Sequence, residues 1–361
     1  MRMFAARSGP EGILRQGTLR SEVNGLASSE LRGTQELSST GFDPILCDFR
    51  LPVQAVFHPL GFPVEIATNS VGVLVAGDEN WRLFKKAFPV PPIQLRIAVQ
   101  EDGEEPCPPL PPPTCRGQRN LVMFVAGARD FAVCDLTAGF ASCWLTPATA
   151  RNSAYLRYQF LDAMALLLIE SLYATPVHAA CVAFEGHGVL LCGESGAGKS
   201  SLSFACARRG WTLVSDDASF LLRGGESRVV VGNPHYLHLR ESATELFPDL
   251  KSRQLASRTN GEIAIELATS NMPEIVTATQ SRADFLVFLN RQPSGPPSLR
   301  AFPRERARRC LEQVVCYGEQ ELRNAQKTSL GDLLSGEVVE LHYSDLDSAV
   351  SCLEAMVRRR L

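Results

Sequence analysis

The alternation of apolar and polar positions divides the chain into three parts. Residues 1–40 are rich in Ser, Gly and Arg with few large apolar residues, which predicts a disordered tail. Residues 41–149 show short apolar runs between Gly, Pro and Asn-Ser turns, with little helical periodicity, which predicts a small β-rich N-terminal domain. The strands predicted in it are Leu51–Phe57, Val71–Val75, Ile93–Val99, Leu121–Val125 and Phe131–Leu136.

The third part, residues 150–361, mixes helical and strand patterns. Ala150–Tyr173 carries apolar residues near the 3.6-residue spacing and predicts one long helix. Two apolar runs, His178–Phe184 and Gly188–Cys192, flank a polar Gly-containing turn and predict a hairpin. An α/β domain is therefore expected, and its other predicted elements are strands at Trp211–Ser215, Phe220–Leu222, Val229–Val231, Phe285–Leu289 and Val338–Leu341 and a closing helix at Asp345–Arg358.

Composition narrows the classes of partner. Hydrophobic residues make up 45% and charged residues 21% of the chain, as in an ordinary globular protein. The net charge of −3 provides no global basic field, which argues against nucleic acid and anionic membranes as partners. The most apolar segment, Phe160–Tyr173, is interrupted by acids and is too short to span a bilayer. Eleven cysteines without a C-x-x-C pair indicate reduced thiols and a cytoplasmic protein.

Gly193–Ser200 fits the pattern G-x-x-x-x-G-K-[ST], in which backbone amides wrap the phosphates of a nucleotide. An apolar strand precedes it and a helical pattern follows it, as the motif requires. A glycine-rich turn with an unrelated lysine is the alternative. The pattern predicts ATP binding through Gly193, Glu194, Ser195, Gly196, Ala197, Gly198, Lys199, Ser200 and Ser201.

The next strand ends in two adjacent acids, Asp216 and Asp217. A phosphate-bound Mg²⁺ needs oxygen ligands, which Ser200 and a carboxylate after a second strand can supply. One acid can then hold the metal while the other takes the proton of an attacking hydroxyl. Because neighbouring strand residues point in opposite directions, both acids reach one site only if the chain turns there. A polar turn without function is the alternative.

These features together resemble the HPr kinase/phosphorylase family over residues 175–222. They are His178 in an apolar strand, the hairpin, the glycine loop and the strand that ends in two acids. The resemblance implies a P-loop-containing, mixed-sheet kinase core related to ATP-dependent phosphoenolpyruvate carboxykinases. It also implies phosphorylation of a serine on a small carrier protein and, by analogy, a homo-oligomer.

The resemblance carries roles to matching positions. Asp216 would be the base that deprotonates the acceptor hydroxyl, and Asp217 would sit with Ser200 at or near the metal. Lys199 would reach the β- and γ-phosphates. His178 matches an active-site histidine that would share or tune the proton of the aspartate, whereas a lone histidine on an apolar strand is otherwise a core residue.

The chain departs from the family beyond residue 222. The glycine-rich family signature is not recognisable in residues 232–241, although Glu241 is a candidate second metal ligand. Arg291, Arg304 and Arg306 are candidates for the family's phosphate-contacting arginine, and a solvated helix face is the alternative for the latter two. We therefore expect an acceptor other than the family's carrier protein.

Three functions follow from the sequence. The leading one is a Mg-ATP-dependent kinase that transfers the γ-phosphoryl group to a hydroxyl, Ser or Thr of a protein or peptide. The second is a nucleotide-binding regulatory or scaffold module without transfer activity. The third is carboxykinase-like phosphotransfer to a small molecule, which would need an arginine cluster and a Lys/His metal set that the sequence does not reveal.

Overall fold

The structure is a computed structural model that describes residues 49–100, 110–253, 255–257, 263–313 and 318–360. The tail predicted over residues 1–40 lies outside the described residues. None of the helices within the described ranges combines the length and the hydropathy needed to cross a bilayer.

A seven-stranded sheet forms the N-terminal region, in the order β1-β2-β3-β7-β6-β5-β4. The parallel pairs β2/β3 and β3/β7 lie inside it, and the other neighbours are antiparallel. The predicted β-rich N-terminal region is therefore present. Its strands are β1 Val53–Phe57, β2 Val64–Thr68, β3 Ile93–Val99, β4 Thr114–Gln118, β5 Leu121–Val125, β6 Phe131–Asp135 and β7 Phe140–Leu145.

The strand predicted at Val71–Val75 is wrong, because these residues begin helix α1, Val71–Trp81. Parallel strands such as β2 and β3 need a crossover connection, and α1 lies within it. Val73 and Trp81 are buried two helical turns apart, whereas Val71 is 64% exposed. The β-branched residues favour a strand by local propensity. They are helical here because they belong to the crossover that connects two parallel strands.

The single helix predicted over Ala150–Tyr173 is interrupted. Asn152 has φ −86° and ψ 84°, and its side chain accepts from the Tyr155 amide, so one helix ends there and the next begins. This helical region packs against the N-terminal sheet in one shared hydrophobic core. Its segments are α2 Pro147–Arg151, α3 Ser153–Leu156, a π-helix at Arg157–Asp162 and α4 Ala163–Leu172.

A nine-stranded mixed sheet forms the centre of the rest of the chain. β17 pairs in parallel with both β10 and β19, so the carboxyl ends of these three strands meet at one edge. The predicted mixed-sheet α/β class is confirmed. The strands are β8 Ala174–Val177, β9 Ala179–Phe184, β10 His187–Cys192, β11 Thr212–Ser215, β12 Ser219–Leu222, β13 Val229–Gly232, β17 Gln280–Arg291, β18 Ser298–Ala301 and β19 Glu337–Tyr343.

Helices cover both faces of this sheet. Alternate residues of β10 point to opposite faces, with Leu191 in the core under α5 and α9 and Leu190 in the core under α7 and α8. A small sheet, β14 Tyr236–Leu239, β16 Ile263–Ala268 and β15 Leu255–Ser257, adds to the α5 side. The helices are α5 Lys199–Arg208, α6 Ala243–Leu246, α7 Arg304–Glu312, α8 Gln320–Leu333 and α9 Leu346–Arg358.

Candidate active site

The loop Gly193–Ser200 connects the end of β10 to the start of α5, as the motif predicts. Gly196 and Gly198 have φ of 91° and 95°, in the left-handed region that favours glycine. The first amides of α5 have no acceptor within their own helix, and they lie at the positive end of its dipole. The geometry therefore forms a cradle for an anionic group such as a phosphate.

We expect Gly198→Ala to weaken nucleotide binding and lower stability. A Cβ at Gly198 would lie 2.7 Å from the Tyr343 hydroxyl, in addition to the strain of a positive φ. Gly186→Ala is the matched control, because Gly186 also has a positive φ, of 83°, but a Cβ there meets no atom of the described residues within 4 Å. Thermal unfolding with and without ATP measures both effects. Equal losses in the two variants would contradict the steric argument.

Lys199 is 5% exposed, and its side chain makes hydrogen bonds to the backbone of the loop. Its Nζ donates to the carbonyl oxygens of Gly193 at 2.9 Å and Glu194 at 3.3 Å, and it lies 3.0 Å from His178 Nε2. Burial lowers the pKa of Lys199, and the carboxylate of Asp217 opposes this shift. Phosphates in the cradle would favour the charged ammonium further, so Lys199 is suited to bind them.

His178 lies between Lys199 and Asp217, with its Nδ1 3.5 Å from Asp217 Oδ1. Burial lowers the pKa of His178, the charge of Lys199 lowers it further, and Asp217 opposes both. The imidazole is therefore biased towards its neutral form near neutral pH. The structure thus brings His178 to Asp217, whereas the sequence had suggested that His178 tunes the proposed base, Asp216.

The two adjacent acids diverge where β11 ends. Asp216 is 8% exposed, and its Oδ2 accepts from the backbone amide of His238 at 2.7 Å and lies 3.2 Å from His238 Nδ1. Its main-chain oxygen accepts from Ser200 Oγ at 3.3 Å, which joins the turn to the first residues of α5. One acid therefore faces β14 and the other faces His178 and Lys199.

The donors at this site suit Mg²⁺ held together with a nucleotide. Within the described residues, no group of three His, Cys, Asp or Glu side chains could hold a metal by itself. Ser200 and Asp217 offer oxygen donors, and Mg²⁺ is usually bound by one or two protein ligands, substrate phosphates and water. The residues present therefore fit a magnesium nucleotide and not a closed protein cage.

Sequence reasoning missed several polar contacts from outside the loop. Arg240 Nη2 donates to Ser195 Oγ at 2.9 Å, and His238 Nε2 lies 3.4 Å from Glu266 Oε2. Tyr343, at the end of β19, donates its hydroxyl to the Ala197 carbonyl at 3.2 Å. The alternation of buried Leu237 and Leu239 with half-buried His238 and exposed Arg240 is the signal that could have revealed this face of β14.

The arginine candidates differ in position. Arg291 ends β17 in register with Tyr343, at the edge of the sheet where the loop lies. Arg304 donates to the Gly336 carbonyl at 3.4 Å, just before the start of β19 and thus at its opposite end. Arg306 is exposed, and its guanidinium lies 5.0 Å from the centre of the Phe302 ring, which belongs to the core under α7 and α8. Of the three, Arg291 lies at the loop edge.

Glu241, the candidate second metal ligand, is exposed and follows Arg240 directly. The Arg240 side chain contacts Ser195 in the loop, so the residue that precedes Glu241 in the chain is within side-chain reach of the site. Its backbone carbonyl accepts from the Thr244 amide and hydroxyl. A role of Glu241 as a metal ligand stays a prediction.

Residues 171–240 match the family model of the HPr Serine kinase C-terminal domain. The resemblance recognised from the sequence is therefore confirmed for this segment. The match also extends past residue 222 to Arg240, so it includes β14 and the residues where the glycine-rich signature was not recognisable.

Individual relatives match stretches of different lengths. An HPr kinase/phosphorylase of Halalkalibacterium halodurans is 39% identical over 84 residues, which cover 22% of this chain and 27% of the relative. One of Chlorobaculum tepidum is 28% identical over 145 residues, which cover 38% and 41%. The chain thus spans between about a quarter and two fifths of these relatives. The Hpr(Ser) kinase/phosphatase structure from Coxiella burnetii has a TM-score of 0.28 at 14% identity, covering 52% of this chain and 92% of that one.

Proposed function

We propose that the chain is a Mg-ATP-dependent kinase that transfers the γ-phosphoryl group to a serine or threonine hydroxyl of a protein or peptide. The observation that carries this proposal is the turn at Asp216 and Asp217. A hydrogen bond from Ser200 joins this turn to the end of the glycine loop. The carboxylate of Asp216 contacts His238, whereas that of Asp217 contacts His178. A site that only holds a nucleotide does not need a second, separately oriented carboxylate.

The residues divide the chemistry between them. The loop amides and Lys199 bind the β- and γ-phosphates, and Ser200 and Asp217 would hold Mg²⁺, which neutralises phosphate charge when bound. Asp216 takes the proton of the acceptor hydroxyl while the hydroxyl oxygen forms its bond to the γ-phosphorus. The bond from that phosphorus to the bridging oxygen then breaks, and ADP leaves.

Backbone and ring donors of His238 orient Asp216 for this role. Both donors converge on Oδ2, which leaves Oδ1 to receive the hydroxyl proton. Asp216 is nearly buried, so the acceptor side chain must come close and exclude water, which favours transfer to a hydroxyl over hydrolysis. Arg240 holds the loop from the side of Ser195 and is suited to bind phosphate oxygens.

The names of the relatives suggest a first acceptor to test, the protein HPr. The N-terminal sheet of this chain lies outside the family match, which supports a different acceptor. A peptide is as compatible with the site as a folded protein. The proposed acceptor is therefore a class, the Ser and Thr hydroxyls of proteins and peptides, and experiment must identify the individual acceptor.

Transfer of label from [γ-³²P]ATP tests the proposed function. The purified chain is incubated with Mg²⁺ and three acceptor samples: HPr, a Ser/Thr peptide library, and extract from the source cells. We expect label on serine or threonine, with one ADP formed per phosphate transferred. Tight ATP binding without transfer in all three samples would favour the regulatory or scaffold module. Label on a small oxyacid alone would favour carboxykinase-like chemistry.

A further inference from the structure

A second basic site lies at the opposite end of β19 from the glycine loop. A pocket of about 230 Å³ opens between α7 and α8, and we call it the basic pocket. Its lining residues are Arg304, Glu305, Arg308, Gly331, Leu334 and Ser335. Two guanidinium groups and a hydroxyl in one concave surface are the donors that recognise phosphate oxygens.

An arginine cluster surrounds Asp284 on β17. The Asp284 carboxylate is 3.2 Å from Arg282 Nη1, 3.6 Å from Arg228 Nη2 and 2.8 Å from His187 Nδ1. The main-chain oxygen of Asp284 accepts from Arg360 Nη1 at 3.2 Å. Asp284 itself is only 4% exposed, so one buried carboxylate is shared by two guanidinium groups and the His187 ring.

The basic pocket and the arginine cluster meet at Gly336. Arg304 Nη2 donates to the Gly336 carbonyl at 3.4 Å on one side. On the other side, a Cβ at Gly336 would lie 3.3 Å from Arg228 Nη1 and 2.9 Å from the Asp284 carbonyl oxygen. Glycine is therefore required for this close approach, which places Arg228 of the cluster beside Gly336, the residue that Arg304 contacts.

Two carboxylates pair with the arginine cluster: Asp284 with Arg282 and Arg228, and the largely exposed Glu226 with Arg282 at 4.0 Å. Arg228 Nε is buried and has no hydrogen-bond partner within the described residues. Burial lowers the pKa of Arg228 and the charge of Arg282 lowers it further, while Asp284 opposes these shifts and Arg360 adds to them. A bound anion would relieve this repulsion.

We propose that the basic pocket, with the arginine cluster beside it, binds a small phosphate-bearing anion. The volume is below the 300–1,000 Å³ of common ligand sites, so it suits a phosphate or pyrophosphate group and not a whole nucleotide. This site is separate from the glycine loop, because β19 begins at Glu337, directly after the Gly336 that Arg304 contacts, and ends at Tyr343, which contacts the loop. The proposal does not rest on the kinase function.

Isothermal titration with pyrophosphate tests the site in the full-length Lys199→Ala protein, which lacks the main phosphate ligand of the glycine loop. We expect this protein to bind pyrophosphate, and the added pair Arg304→Gln and Arg308→Gln to weaken binding at least about tenfold. A tenfold loss corresponds to about 1.4 kcal/mol of binding free energy. Inorganic phosphate in a parallel titration distinguishes a single phosphate from a diphosphate.

The matched control is Arg306→Gln in the same background. Arg306 is on the same helix, but its guanidinium lies over the Phe302 ring and does not line the basic pocket. This control should bind like its parent. Unchanged pyrophosphate affinity in the Arg304→Gln, Arg308→Gln protein, or no binding by the Lys199→Ala parent, would overturn the proposal. If the double change lowers the unfolding temperature, Arg308→Gln alone gives the same comparison.

Discussion

Lys199→Ala is expected to abolish measurable phosphoryl transfer and to weaken ATP binding. The ammonium group is the cation enclosed by the loop, and it would be placed where negative charge develops on the transferring phosphate. Removing one such preorganised donor costs about 100- to 1,000-fold in rate in other enzymes. The rate of label transfer from ATP, and the ATP-induced rise in unfolding temperature, measure the two effects separately.

The control for Lys199→Ala is Lys85→Ala, which removes the same charge from an exposed position in the N-terminal region. The control should keep both transfer and the ATP-induced rise in unfolding temperature. Lys199→Ala should also lower stability without nucleotide, because its Nζ holds two loop carbonyls. A variant that folds, shows no ATP-induced stabilisation and still transfers phosphate at the wild-type rate would refute the role of Lys199.

Local patterns predicted the strand, the glycine loop and the helix that follows it. The strand, the glycine loop and the first turn of α5 are consecutive in the chain, so residue spacing alone fixes their order. The strand ending at Asp216 and Asp217 was found in the same way. What residue spacing could not reveal is that the two carboxylates face different partners, because that depends on the path of the chain after β11.

Nonlocal pairing explains the residues that were missed. His238 reaches Asp216 across 22 positions of the chain, and Arg240 reaches Ser195 across 45. Glu266 is brought to His238 only because β16 pairs with β14, with His238 opposite Glu266. No window of the sequence contains these contacts. The error at Val71–Val75 has a related cause. The helical conformation of these residues follows from the crossover between β2 and β3, and not from their local propensity.

Asp216→Asn is expected to lower phosphoryl transfer at least about 100-fold while ATP binding is kept, since general base catalysis typically contributes 10²- to 10⁴-fold. The amide oxygen of Asn can still accept from the His238 backbone amide, so the turn should fold as before. It cannot take a proton from the acceptor hydroxyl. Steady-state transfer rates and ATP titration together measure this separation of chemistry from binding.

Asp217→Asn is the companion variant that gives this prediction its specificity. Asp217 lies beside His178 and Lys199, and as a proposed Mg²⁺ ligand it should affect binding of Mg-ATP more than Asp216 does. We therefore expect a Mg²⁺-dependent loss of ATP affinity in Asp217→Asn and a loss of rate alone in Asp216→Asn. Wild-type transfer by Asp216→Asn, or the reverse distribution of effects, would mean that the two carboxylates exchange roles and that His178 adjoins the base.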